Sequence, residues 1–271
     1  MMKLIATDID GTLVEESSPD LPEELITLFR RLCDSGIMVT VASGRQYGSV
    51  SKMFAPVGRK LCYIMENGAH ILIGDETIHK VVMKREYVEG IMHDLRNYYD
   101  QGCHVVASTA KGSYLETKDQ AFIDRIRYRY RNEVFLTDDI LAEDVDYVKL
   151  AVYKENDIRP IGENELIPRW KDKVKATMAG AEWVDFMDAA VDKGNGLQIL
   201  LQQLQIDPAY VMAFGDNEND IGLLQTAGHG YAVGNAVEKV QKAAAHICPP
   251  YWEDGVGSVL RRLLEEKEQR A

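Results

Sequence analysis

The chain has 271 residues, and with 46% hydrophobic and 27% charged residues it can bury the core of one large domain or of two ordinary ones. Its formal net charge of −12 argues against nucleic acids and anionic membranes as partners, because both are bound through neutralised phosphate charge. The sequence has no apolar run of 18 residues and no secretory signal, so we expect a cytoplasmic protein without a membrane-spanning segment.

The N-terminal part alternates between strand and helix patterns. Residues 3–7 form a short apolar run typical of a buried strand. A helix follows, because apolar side chains recur at helical spacing at Leu21, Leu25, Leu28, Phe29 and Leu32. Asp20 is its predicted N-cap and Gly36 its C-terminal stop, and residues 37–42 form a second strand. This βαβ pattern predicts parallel strands that are covered on both faces.

The same alternation returns near the C-terminus. A helix is predicted from the apolar positions Leu197, Leu200, Leu201 and Leu204. It precedes a strand at residues 210–214, a second helix at about 221–224 and a further strand at 231–233. Together the two ends of the chain predict an α/β fold, with a Rossmann-like three-layer core around a parallel sheet.

The middle of the chain has a different character. Helical patterns mix there with strand-like runs such as residues 147–153, and neither a phosphate loop nor paired carboxylates occur. We interpret residues 83–184 as an inserted α+β cap domain. Residues 1–82 and 185–271 then form the catalytic core.

One run in the inserted segment alternates arginine with apolar and aromatic residues. On a strand the alternation would place all the arginines on one face, as a phosphate-binding surface. The flanking residues indicate a helix instead, which distributes these side chains around a solvated surface. We therefore expect a solvated helix that carries Arg125, Arg127, Arg129 and Arg131.

Polar residues directly follow three of the predicted core strands, at Asp8, Ser43 and Asp216. Because parallel strands bring their carboxyl ends to one edge of a sheet, we expect these side chains to lie close together. Asp8 and Asp10 together leave three interpretations open: a general acid/base pair, a metal site, or a nucleophile with its acid.

Further oxygen groups follow at Asn219 and Asp220, at the same predicted edge. Carboxylates that converge without histidine or thiol groups favour a hard cation, and Mg²⁺ fits better than Zn²⁺. A calcium-binding EF-hand does not fit, because Leu13 or Ile221 occupies the position that requires glycine, counted from either acidic run.

These motifs resemble those of the haloacid dehalogenase superfamily, in the Cof-type branch with a large α/β cap. A lone pair of aspartates is weak evidence, whereas four motifs in order at fitting separations are specific. The matching motifs are Asp8-Ile9-Asp10-Gly11-Thr12, Ser43, Lys193 and Gly215-Asp216-x-x-Asn219-Asp220.

The resemblance implies a role for each matched residue. Asp8 would be the nucleophile that forms an aspartyl-phosphate, and Asp10 would protonate the leaving alcohol and then deprotonate a water. Lys193 would be the third catalytic residue and would hold phosphoryl oxygens together with Ser43. The implied cofactor is Mg²⁺, bound by Asp8, the backbone carbonyl of Asp10, and Asp216. Further predicted phosphate or substrate contacts are Thr12, Gly44, Arg45 and Asn219.

Further predictions concern four residues. Arg45 follows Ser43 near a helix start, where the helix dipole does not favour a basic side chain, and this suggests contact with substrate. Asn219 and Asp220 are expected to orient Lys193 or water. Asn67 is interpreted as part of an ordinary turn.

The sequence therefore predicts a Mg²⁺-dependent phosphatase that acts on a small phosphorylated metabolite, such as a sugar phosphate or a phosphorylated cofactor. A phosphomutase and a non-catalytic phosphometabolite-binding protein are the alternatives. The second alternative predicts a lost catalytic residue, yet Asp8, Asp10, Lys193 and Asp216 are all present.

Overall fold

The computed structural model describes residues 2–269, which divide into two compact units. One unit runs to His79 and resumes at Asp192, and the other covers Lys80–Val191. The sequence-based boundaries of 83 and 184 fall inside the second unit. The boundary at residue 184 divides the strand Trp183–Met187. Because this strand pairs with another strand of the inserted unit, the insertion extends further than we expected.

The elements are numbered in chain order. The strands β1 to β14 span Leu4–Thr7, Met38–Ala42, Cys62–Met65, His70–Ile73, Glu76–Lys80, Cys103–Ser108, Ser113–Leu115, Val134–Leu136, Lys149–Lys154, Lys175–Met178, Trp183–Met187, Val211–Gly215, His229–Val233 and His246–Cys248. The helices α1 to α10 span Glu23–Asp34, Tyr47–Phe54, Arg85–Arg96, Gln120–Asp124, Arg159–Ile161, Ile167–Trp170, Lys193–Leu204, Ile221–Thr226, Glu238–Ala243 and Gly255–Glu268. Among residues 2–269, no helix has the length and apolar character needed to cross a bilayer.

The first unit is built around one sheet, in the order β14-β13-β12-β1-β2-β3-β4-β5. The strand pairs from β14 to β3 are parallel, and β4 returns antiparallel beside β3. At the centre, Leu4 of β1 lies opposite Val211 of β12 on one side and Met38 of β2 on the other. The predicted parallel sheet is therefore confirmed, with an antiparallel addition at one edge.

Both faces of this sheet are covered. All residues of β1 and β12 are buried, which requires packing layers above and below the strands. Helix α1 contacts α10, while α7 contacts α8 and α8 contacts α9, so helices pack together in the layers that cover the sheet. The predicted three-layer α/β core is thus confirmed.

Helix α1 shows where local sequence signals succeeded and where one failed. The predicted apolar stripe is buried, and Gly36 has a φ of +84° just beyond the helix, as expected for a C-terminal stop. The predicted N-cap at Asp20 is wrong. The helix begins at Glu23, and Pro22 occupies the N-cap position with the φ of −58° that its ring imposes.

The inserted unit has its own sheet, in the order β10-β11-β9-β6-β7-β8. Its pairs are antiparallel except that between β7 and β8. One face packs on α3 and the short helices α5 and α6 through a separate apolar cluster, which includes Val88, Ile91, Leu95, Leu150, Phe186 and Trp170. The unit thus carries a hydrophobic core of its own.

The arginine-rich run is helical up to Arg129, as predicted, whereas Arg131 lies beyond the helix with a φ of +55°. Helix α4 continues into a π-helical turn over Arg125–Arg129. The guanidinium of Arg125 lies 4.9 Å from the ring centroid of Tyr153 and 3.4 Å from a carboxylate oxygen of Glu155. The alternation of arginines therefore does not mark a strand.

Substitution of Phe29 tests the packing of the core unit. Its ring is fully buried and lies 5.9 Å from that of Phe54. Phe29→Ala should lower the free energy of unfolding by about 3–5 kcal/mol, because it removes buried apolar surface and leaves a cavity. Urea denaturation measures the loss. Trp252→Ala, at an aromatic residue that is 65% exposed in the same unit, should change stability by less than about 1 kcal/mol.

Candidate active site

A polar residue directly follows each of three neighbouring strands of the core sheet, as predicted. Asp8 directly follows β1, Ser43 follows β2 and Asp216 follows β12. Since β1 lies between the other two, their carboxyl ends share one edge of the sheet. The side chains of Asp8 and Ser43 are buried there. Burial of a polar group without a hydrogen-bond partner is costly, so the contacts of these side chains matter for the stability of the site.

A buried lysine joins two of the acidic residues. Lys193, the first residue of α7, donates hydrogen bonds from Nζ to Asp8 Oδ1 at 2.7 Å and to Asp220 Oδ1 at 2.6 Å. The side chain of Lys193 is 1% exposed and that of Asp220 is 0% exposed. A charge this deeply buried is tolerated because both carboxylates contact it directly.

The pKa values show that the site carries surplus negative charge. Burial lowers the pKa of Lys193, but the carboxylates of Asp220 and Asp8 outweigh it and raise the pKa above its usual value. Burial raises the pKa of Asp8 well above its usual range; Lys193 opposes this, while Asp220 and Asp216 add to it. Burial and the charge of Asp220 raise the pKa of Asp216 to about 6. One ammonium therefore does not balance the cluster.

Asp220 anchors Lys193. Its Oδ2 accepts hydrogen bonds from the backbone N–H groups of Asp216 at 3.0 Å and Asn217 at 3.2 Å, while Oδ1 accepts from Lys193. Both oxygens are thus engaged, and the side chain is out of contact with solvent. These contacts agree with the expectation that Asp220 orients Lys193, which stays a prediction.

A close crossing of α7 and α8 places these two residues together. A Cβ on Gly194 would lie 2.5 Å from the backbone carbon of Gly222, and a Cβ on Gly222 would lie 2.4 Å from Oδ1 of Asp192. Asp192 is also the N-cap of α7, where it accepts from the Gly194 N–H at 2.7 Å. Only glycines allow the approach that brings Lys193 beside Asp220.

The Asp216 carboxylate is positioned by the motif that follows β1. Thr12 Oγ1 donates to Asp216 Oδ1 at 2.9 Å. Gly11 has a φ of +73°, and a Cβ there would lie 2.4 Å from Asp216 Oδ2. Both the backbone conformation and the space require glycine at this position.

The acidic side chains fit a hard cation. Asp8, Asp216 and Asp220 each place a carboxylate oxygen within 4.8 Å of the others. Asp220 is committed to Lys193 and to backbone donors, so Asp8 and Asp216 are the side chains suited to hold a metal. Their raised pKa values and the all-oxygen donor set fit Mg²⁺. The role of the Asp10 backbone carbonyl as a ligand stays a prediction.

The Asp10 side chain points into a different set of contacts. Its Oδ1 accepts from the backbone N–H of Ser17 at 2.8 Å, and Arg45 Nε donates to Oδ2 at 2.8 Å. Arg45 Nη2 donates to Oδ1, which completes a two-pronged ion pair. The structure therefore places Arg45, predicted as a substrate contact, directly against Asp10.

The remaining predicted residues meet around Asn67. Its backbone N–H donates to the carbonyl of Ser43 at 3.0 Å, and Asn219 Nδ2 donates to its Oδ1 at 2.9 Å. A Cβ on Gly44 would lie 3.2 Å from the Asn67 amide. Asn67 lies in a turn, with a φ of +57°, as we interpreted it. Sequence reasoning missed its contact with Asn219. The strand-end rule could have placed Asn67 near the site, because it lies two residues beyond the end of β3.

The predicted site residues thus form two adjoining networks. One joins Asp8, Thr12, Lys193 and Asp216 through Asp220. In the other, Arg45 connects Asp10 to Ser43, Asn67 connects Ser43 to Asn219 and lies beside Gly44, and Ser17 donates to Asp10. Nothing in the sequence marked Ser17, which contributes only a backbone donor.

Comparison with known proteins gives one family. The model of the haloacid dehalogenase-like hydrolases matches residues 5–260. The chain is similar to a 5-amino-6-(5-phospho-D-ribitylamino)uracil phosphatase of Escherichia coli, with 24% identity over 98% of this chain and 97% of the relative. It is also similar to a phosphoglycolate phosphatase of Methanopyrus kandleri, with 28% identity over 98% and 99% of the two chains.

The fold has close counterparts among solved structures. A crystal structure from Eubacterium rectale superposes with a TM-score of 0.86 and 37% sequence identity, and the match covers 97% of this chain and 99% of that one. The similarity therefore extends over both units of the chain.

The surplus charge predicts a pH-dependent stability difference. In the metal-free protein, the pKa of Asp216 is about 6 against an ordinary value of 3.8, so the folded state binds the proton more tightly than the unfolded state. Stability should therefore fall as pH rises from about 4 to above 6. Asp216→Asn removes this pH-dependent contribution to stability. In EDTA above pH 7 the free energy of unfolding of the variant should exceed that of wild type by about 3 kcal/mol.

Urea denaturation at several pH values measures this difference, which should vanish near pH 4. Glu253→Gln, at an exposed carboxylate of the same unit, should show no such dependence. Added Mg²⁺ should stabilise wild type at pH 7.5 but not Asp216→Asn to the same degree. A pH-independent difference between Asp216→Asn and wild type would contradict the assignment.

Proposed function

The chain belongs to the haloacid dehalogenase-like hydrolases, and we propose that it is a Mg²⁺-dependent phosphatase of small phosphate monoesters that works through an aspartyl-phosphate. The observation that carries this proposal is the buried set of Asp8, Lys193 and Asp220. It holds a carboxylate at a strand end, against a fixed ammonium, in an acidic site that fits a cation. Such a site suits the transfer of a phosphoryl group, whose own charge is negative.

Asp8 acts as the nucleophile in the first half of the reaction. Its Oδ1 accepts from Lys193, and no hydrogen bond to its Oδ2 is formed by the described residues. A carboxylate oxygen of Asp8 attacks phosphorus and forms an O–P bond, while the bond from phosphorus to the ester oxygen breaks. The leaving alcohol keeps that electron pair and takes a proton from Asp10.

Water completes the second half of the reaction. Asp10, now a carboxylate, accepts a proton from a water as the water oxygen bonds to phosphorus. The bond between Asp8 and phosphorus breaks, which releases inorganic phosphate and restores the Asp8 carboxylate. One ester and one water thus give one alcohol and one phosphate, and Asp10 returns to its protonated form.

The neighbouring groups hold the phosphoryl oxygens during both steps. Ser43 lies at the same edge of the sheet as Asp8, and Lys193 contacts Asp8 there. We assign these two residues, together with Thr12, Gly44 and Asn219, to the binding of phosphate and substrate. Asp8, Asp216 and the Asp10 carbonyl would hold Mg²⁺, which would supply charge neutralisation between the anionic nucleophile and the anionic ester.

The substrate that we propose is a small phosphorylated metabolite. The two relatives described above act on phosphoglycolate and on a phosphorylated ribitylaminouracil, both small phosphate esters. A sugar phosphate or a phosphorylated cofactor precursor belongs to the same chemical class. We assign the choice among such esters to the inserted unit, whose sequence carries none of the phosphate-binding motifs.

Loss of the nucleophile tests this function. With Mg²⁺, the purified protein should release phosphate from p-nitrophenyl phosphate, and Asp8→Asn should reduce kcat by at least about 1,000-fold. The amide cannot form the acyl phosphate, although it keeps the shape of the side chain. Asp75→Asn, at an exposed carboxylate of the same unit, should retain wild-type activity. Equal activity of Asp8→Asn and wild type would contradict the proposal.

A further inference from the structure

The carboxylate of Asp10 is held by three N–H donors. Arg45 Nε donates to Oδ2 at 2.8 Å, Arg45 Nη2 donates to Oδ1, and the backbone N–H of Ser17 also donates to Oδ1 at 2.8 Å. A carboxylate offers about four acceptor positions, two on each oxygen. Counting donors from residues 2–269, Oδ1 is therefore saturated, and the one free position is on Oδ2.

Arg45 is itself anchored on both sides. Its Nη1 donates to the carbonyl of Ser18 at 2.9 Å and lies 3.9 Å from Met53 Sδ, and its backbone N–H donates to Ser43 Oγ at 3.2 Å. Its side chain is only 17% exposed. A guanidinium has five N–H donors, and four of them are engaged in these contacts, so one is left for any other ligand.

The loop after β1 is shaped to make this contact. Ser17, which donates to Asp10, has a φ of +64°, a left-handed conformation that is unfavourable for residues other than glycine. The next residue, Ser18, supplies the carbonyl that accepts from Arg45. Arg45 thus joins the end of β2, the loop and Asp10 into one rigid arrangement.

We infer that Arg45 is a positioning residue for Asp10 and not a ligand of the substrate phosphate. The inference rests on the proposed phosphatase function, and it gives Arg45 a specific task within it. The planar fork of Arg45 fixes the plane of the Asp10 carboxylate, so the free position on Oδ2 faces one direction. Oδ2 is then the oxygen that gives the proton to the leaving alcohol and later takes one from water.

This role predicts a dependence on the leaving group. An acidic alcohol such as p-nitrophenol departs as its anion and needs little help from a proton donor. A less acidic alcohol needs the proton in the transition state. Damage to a phosphate ligand would slow all esters alike, whereas misplacement of Asp10 would slow the esters of less acidic alcohols selectively.

The experiment compares aryl phosphates of similar shape: p-nitrophenyl, phenyl and p-methoxyphenyl phosphate. It uses kcat/KM, which reports transfer of the phosphoryl group to the enzyme. Arg45→Lys keeps the charge but loses the fork. Relative to wild type, it should lose less than about 5-fold on p-nitrophenyl phosphate and about 100-fold on p-methoxyphenyl phosphate. Asp10→Asn should show the same selectivity, and the double variant should be no slower than Asp10→Asn alone.

A matched control is available in the same unit. Arg59 makes an equivalent two-pronged pair with Asp34, with Nε to Oδ1 at 2.6 Å and Nη2 to Oδ2 at 3.1 Å, on an exposed surface. Arg59→Lys should leave kcat/KM unchanged for all three esters. Circular dichroism of each variant verifies that the fold is intact.

Equal losses of Arg45→Lys on all three esters, or additive losses in the double variant, would overturn the inference. Wild-type kinetics for Arg45→Lys on every ester would also overturn it, because a simple positive charge would then suffice. Failure of the proposed function is distinct, since it appears as a wild-type enzyme no more active than Asp8→Asn. An active wild type with an unselective Arg45→Lys refutes only the role of Arg45.

Discussion

A single buried ammonium group holds the active site together. Lys193 lies between Asp8 and Asp220, and each of the three would be costly to bury without the others. Their contact requires β1 to end beside β12 and α7 to cross α8 at a glycine-to-glycine approach. One electrostatic arrangement therefore depends on the parallel sheet, on the crossing of α7 and α8, and on Asp192 as the N-cap of α7.

Much of this arrangement could be predicted because it is local in sequence. Apolar runs predicted the strands. The polar residues after three of these runs predicted that Asp8, Ser43 and Asp216 lie at one edge of the sheet, and the order of the strands confirms this placement. Regular spacing gave the stripe of α1 and its end at Gly36. These signals depend on backbone periodicity and turn chemistry, which a single sequence displays directly.

Contacts between distant segments could not be obtained in this way. The pairing of Arg45 with Asp10, and that of Asn219 with Asn67, depends on side-chain directions that no spacing rule supplies. The donor from Ser17 depends on a left-handed backbone at a residue type that does not signal it. The end of the insertion was misplaced for a similar reason, because only the pairing of β11 with β9 shows to which unit that strand belongs.

The insertion also determines when the candidate active site can form. Leu4 pairs with Val211, which comes after the inserted unit in the sequence, whereas the strands of the second sheet pair among themselves. Chains emerge from the ribosome N-terminus first, and pairings this distant in sequence form slowly. During synthesis, β1 can join β2 early but keeps its other edge open until β12 arrives. Asp8 and Lys193 therefore meet only after the inserted unit has been made, and a nascent chain has no assembled candidate site until β12 joins the core sheet.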